Sequence, residues 1–155
     1  MAAVAEFVIP RDVELPSASL TLPAVLSSAR QARTFTAEAL RFWGASEELI
    51  DSAVLIVCEL ATNAIRHGAR LPTRGRGTDS TIILRLALEV EALCIEVHDG
   101  SMVLPVPRAA GRDEDCGRGM QIIAALAESW TCGRDPEGGK WVRATLSRVD
   151  GAADG

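Results

Sequence analysis

The sequence has no stretch approaching the ~20 consecutive apolar residues of a membrane-crossing helix, no CxxC pair among its four cysteines, and no surplus of basic charge. Each lack excludes something. No helical membrane span and no membrane partner are expected. Cys58, Cys94, Cys116 and Cys132 are scattered without metal-ligand spacing, and a zinc site that uses His67 and His98 is conceivable but poorly supported. With a net charge of -5, the chain lacks the basic stripe of a direct nucleic-acid binder, although Arg74 and Arg76 lie close together. The opening residues MAAVAEFVIPRD show no basic start followed by an apolar run. No signal peptide is therefore expected, and the cysteines read as reduced thiols of a cytoplasmic protein. There is no internal repeat.

What is present is a globular composition. At 155 residues, 48% hydrophobic and 24% charged, the chain is long enough for one domain with a real core. Residues 1–19 read as an N-terminal segment with strand character, 20–148 as the domain, and 149–155 as a frayed tail. Pro23 suits a first helical turn. Val25, Ala29, Ala32, Thr36, Ala39 and Trp43 then recur at helical spacing before Gly44. Ser46 followed by Glu47 and Glu48 predicts a second helix start, and Gly68 predicts its stop just after His67. Two strands joined near residues 89–92 follow a polar loop over 69–80. A long loop over 100–118, a helix beginning at MQIIAALAES and a hairpin from WTCGR to KWVRATLSR complete the chain. This order predicts an α+β fold: a two-layer α/β sandwich, with helices on one face of a mixed, mostly antiparallel sheet.

Three patterns carry chemistry. Glu59, Asn63 and His67 form a polar stripe on the second helix, about 150° round from an apolar stripe of Val54, Cys58, Ala61 and Ile65. Such a stripe faces solvent or a cleft. In a cleft, Asn63 offers a neutral oxygen of the kind a hydrated Mg2+ accepts alongside phosphate oxygens, and Glu59 could orient or deprotonate an attacking hydroxyl. An ordinary exposed face explains it too. In IEVHDGS, a strand ends at Asp99, whose carboxylate could accept from an exocyclic amine; Asp-Gly and Gly-Ser are also plain turn pairs. In GRGM, Gly117 and Gly119 permit close backbone approach, the helix opening at Met120 offers N–H groups to an anion, and Arg118 adds charge. A flexible helix entry would look the same.

Taken together and in this order, the patterns are more specific. ELATNAIRHG, the DGS followed by LPVPR, GRGMQIIAALAESW and GGKWVRATL resemble the histidine-kinase-like ATPase superfamily, whose ATP-binding domain is the Bergerat fold. The compact form looks most like the bacterial anti-sigma-factor serine/threonine kinases, over roughly residues 20–148. The resemblance implies ATP and Mg2+ as cofactors, with Asn63 as the metal ligand and Glu59 as the catalytic acidic residue. Asp99 would read adenine, and Gly117, Arg118, Gly119 and Met120 would form the phosphate-binding turn. Residues 101–116 would be the lid. It implies a kinase that phosphorylates an anti-sigma-factor antagonist protein, can bind a sigma factor, and regulates transcription by partner switching; a homodimer is compatible with it. The alternative is a non-catalytic module that sequesters a protein partner. Two departures bear on the nucleotide pocket. Ser101 and Val103 stand where the lid of relatives has glycines, and Trp141 stands about where relatives carry a small hydroxyl residue, with Thr145 further along.

Overall fold

The computed structural model describes residues 15–70, 81–99, 121–136 and 138–148. Five strands form one sheet in the order β1-β2-β3-β5-β4: β1 (Ser17–Pro23), β2 (Thr81–Leu88), β3 (Ala92–Asp99), β4 (Ser129–Arg134) and β5 (Lys140–Ser147). Every pairing in it is antiparallel, so the expected mixed sheet is antiparallel throughout. Helices α1 (Ser27–Phe42) and α2 (Glu47–Arg70) pack on each other, α2 packs on β2, β3 and β5, and residues 121–126 are also helical. The α+β layer architecture is the expected one.

Alternation along the strands decides which side the helices cover. Ile82, Leu84, Leu86 and Leu88 of β2, Leu93, Ile95 and Val97 of β3, and Val142, Ala144 and Leu146 of β5 are buried, while the intervening residues are not. They join Ala53, Ile56, Val57, Leu60 and Ala64 of α2, Leu40 of α1 and Ile123 in one core. Each fully buried Leu or Ile contributes about 1.5–3 kcal/mol relative to exposure. The opposite face of the sheet carries polar side chains, including Arg85, Glu96, His98 and Arg143.

Local chemistry sets the helix ends, with two departures from expectation. Pro23 closes β1 instead of opening α1. It sits at the end of an edge strand, where a missing N–H leaves no ladder bond unmade, and its carbonyl accepts from Val25 N and Ser28 Oγ, both at 2.8 and 2.7 Å. The helix thus starts later, and its buried line is Ser28, Ala32, Thr36 and Leu40, with Val25 about half exposed. Gly44, at φ 80, ends α1 as expected. Ser46 Oγ accepts from Leu49 N at 3.1 Å, the predicted N-cap of α2. Gly68 does not stop α2, which continues to Arg70. Between β4 and β5, Gly138 and Gly139 hold φ of 110 and 91, a turn open to glycine, closed by Asp135 N to Gly139 O at 2.9 Å.

Candidate functional site

α2 brings the first two residues. Asn63 follows Ile56 by seven positions, about 20° short of two full turns, so it shares the core-facing line of Leu49 and Ile56. It is 8% exposed. The stripe therefore does not turn to solvent as a unit: Asn63 is inside and Glu59 one turn earlier is half-buried, while the side chain of His67, its third member, lies outside the described residues. The physical reason is that the buried arc of α2 is wide, taking in Ile56, Val57, Leu60, Ala61, Ala64 and Ile65.

Asn63 Nδ2 is buried and has no hydrogen-bond partner among the described residues. Burying an amide group without a partner costs on the order of 1–3 kcal/mol, so core packing alone gives no reason for asparagine here. A bound nucleotide would supply one: Oδ1 is the end of the amide that can ligate a nucleotide-bound Mg2+, and Nδ2 would donate to a phosphate oxygen beside it. Asn63, with the Glu59 carboxylate one turn away, fits such an ion.

β3 brings the third. Its inward residues run Leu93, Ile95, Val97 and then Asp99, so the carboxylate ends a row that faces the helices. Directly across the ladder stands Lys140, the first inward residue of β5. Lys140 Nζ donates to Asp99 Oδ2 at 2.9 Å, and the two side chains are 2% and 3% exposed. The sequence reading missed Lys140. The signal was there: with Val142, Ala144 and Leu146 inside, period-two alternation puts Lys140 inside as well. The same alternation corrects the place given to Trp141. It lies on the opposite face, under the Arg143 guanidinium at 4.8 Å, and Lys140 is the residue facing Asp99.

The outer face holds a separate network. Glu96 Oε2 accepts from Arg143 Nε and Nη2 at 3.0 and 2.7 Å, and its Oε1 lies 3.1 Å from His98 Nε2. Arg85 Nη1 is 3.0 Å from the same imidazole nitrogen, and Asp135 Oδ2 is 3.7 Å from Nδ1. Burial pushes the Glu96 carboxyl up, but the hydrogen bonds from His98 and Arg143 and the Arg143 charge outweigh it and hold the group below the ordinary glutamate range. Burial also pushes the Cys94 thiol up, against the Arg143 charge. His98 is thus engaged with carboxylates and arginine, and no cluster of metal-ligating residues occurs among the described residues.

The rest of the expected site lies outside the described residues: Ser101 and Val103, the lid over 101–116, and Gly117, Arg118, Gly119 and Met120. The helical stretch 121–126 that follows them is anchored by Ile123, which is fully buried. No helix among the described residues is long and apolar enough to cross a membrane.

Comparison with known proteins matches the chain to a family. No curated protein matches the chain. A solved structure of the RsbU and RsbW domains of Rv1364c from Mycobacterium tuberculosis aligns with a TM-score of 0.62 and 23% identity, over 86% of this chain and 32% of that one. The chain thus spans about a third of that structure, and at this identity the likeness shows the fold. The family model of the histidine kinase-like ATPase domain matches residues 22–146, from the end of β1 to Leu146 of β5, a range that contains Glu59, Asn63, Asp99 and Lys140. The chain belongs to the histidine kinase-like ATPase domain family.

Proposed function

We propose that this protein binds ATP with Mg2+ and is a serine/threonine kinase of the anti-sigma-factor type. The observation that carries this reading is Asn63: a buried amide whose Nδ2 has no partner among the described residues, placed by α2 one turn from Glu59. Family membership and the resemblance of ELATNAIRHG and GRGMQII to such kinases support it. Asn63 would hold the metal, whose chemistry is to neutralise triphosphate charge. Glu59 orients the attacking hydroxyl of a protein substrate and takes its proton. Asp99 accepts from the base. Gly117, Arg118, Gly119 and Met120 cradle phosphate, with Ser101 beside the nucleotide. The substrate is an antagonist protein, the second partner is a sigma factor, and the consequence is transcriptional regulation by partner switching. The protein works in the cytoplasm as a homodimer.

A second reading has one observation in its favour. Asp99 is already satisfied by Lys140, which suits a module that keeps the fold for protein contact and binds nucleotide weakly.

Calorimetric titration of ATP in Mg2+ separates the two. Binding that weakens in Asn63→Ala and Asp99→Asn supports the first reading, and Glu59→Ala should then abolish phosphate transfer while leaving partner binding intact. Absence of binding at high micromolar ATP sinks the kinase and leaves the binder.

A further inference from the structure

Asp99 does not present a bare carboxylate. Lys140 Nζ stands 2.9 Å from its Oδ2, and both side chains are almost wholly removed from water, where opposite charges are screened little. The pairing is fixed by the fold, because the two residues are direct register partners on the inner face of β3 and β5. Val97 and Val142, the preceding and following inward residues of the two strands, are buried beside them. Anything that meets Asp99 therefore meets an anionic acceptor and a cationic donor together.

That changes what the site can distinguish. A lone carboxylate accepts from the 6-amino group of adenine and repels the 6-oxo group of guanine or hypoxanthine, since an ionised carboxylate is an acceptor only. An ammonium held against it cancels most of that repulsion and attracts a carbonyl oxygen, while the carboxylate still accepts from a ring N–H. Resting on the reading that Asp99 contacts the base, we propose that Lys140 determines base specificity. It widens the pocket from adenine alone to purine nucleoside triphosphates, GTP and ITP included. Lys140 acts through the charge of Asp99 and takes no part in phosphate transfer.

The test is equilibrium binding of ATP, GTP and ITP, with Mg2+, to the full chain. Lys140→Gln keeps a hydrogen-bond donor and removes the charge; Lys140→Arg keeps the charge. Wild type should bind GTP and ITP within about tenfold of ATP, Lys140→Gln should lose both by a further factor of about ten relative to ATP, and Lys140→Arg should hold the wild-type ratio. The ratio is the informative quantity, because a merely structural loss would weaken all three nucleotides alike. An unchanged ratio in folded Lys140→Gln overturns the proposal. So does a wild-type preference for ATP above roughly a hundredfold, which needs no variant to fold. If wild type binds none of the three, the nucleotide-binding reading fails and takes this inference with it.

Discussion

The indole of Trp141 lies across the backbone of Gly133 on the neighbouring strand, so closely that a Cβ on Gly133 would stand 2.5 Å from Trp141 Cζ2 and 2.9 Å from Cε2. The two are register partners of β4 and β5, and the ring fills the space that a side chain on the edge strand would occupy. Gly133→Ala should therefore force the indole off its rotamer and from under Arg143, at a cost of about 1–3 kcal/mol. A denaturant midpoint within error of wild type would show that the ring moves freely and that the contact is unimportant.

Glu96 gives the fold an acid-sensitive contact. Its carboxyl is held below the ordinary range in the folded state, so it binds a proton less readily folded than unfolded. The stability it contributes is present above the unfolded value of about 4.3 and is lost as pH falls through the depressed folded value. Melting temperature followed from neutral pH into acid should fall less steeply for Glu96→Gln than for wild type, from a lower neutral starting point. Parallel curves would mean that the Arg143 and His98 contacts add no pH-dependent stability.

Asn63 should show function opposed to stability. Its buried Nδ2, without a partner among the described residues, costs free energy in the ligand-free protein, so Asn63→Leu should lie within about 1 kcal/mol of wild type or above it. The same change should remove Mg2+-dependent ATP binding. A variant several kcal/mol less stable would indicate that the amide makes a structural bond, and unchanged ATP affinity would remove Asn63 from the site.

The Asp99–Lys140 pair is expected to behave as a unit. Asp99→Ala leaves a buried ammonium facing its lost partner, a loss of about 3–5 kcal/mol. Combining it with Lys140→Met should recover a large part of that loss, so the two single changes should not add. Additive losses in urea unfolding would show that the two charges are stabilised independently of each other.

Much of this protein was legible in its sequence because hydrophobic periodicity is a local property. The alternation in TIILRLAL and ALCIEV, the Ser46 cap and the Gly44 stop each depend on a few neighbouring residues, and each appears in the structure as expected. Glu59, Asn63 and Asp99 stood out for the same reason, as polar residues in apolar surroundings or at a strand end. Pro23 was misplaced because a proline fits both a strand end and a helix start, and only its pairing with Thr81 on β2 decides between them.

Tertiary structure alone decided the rest. Whether the polar stripe of α2 faced water depended on how much of the helix the sheet covers, and the answer buries Asn63 while leaving Glu59 half-exposed. Asp99 and Lys140 are 41 residues apart in the chain. Their contact exists because antiparallel pairing puts the last inward residue of β3 opposite the first inward residue of β5. Spacing along one strand shows which face a residue takes; register between strands, set by the whole sheet, shows what it meets there.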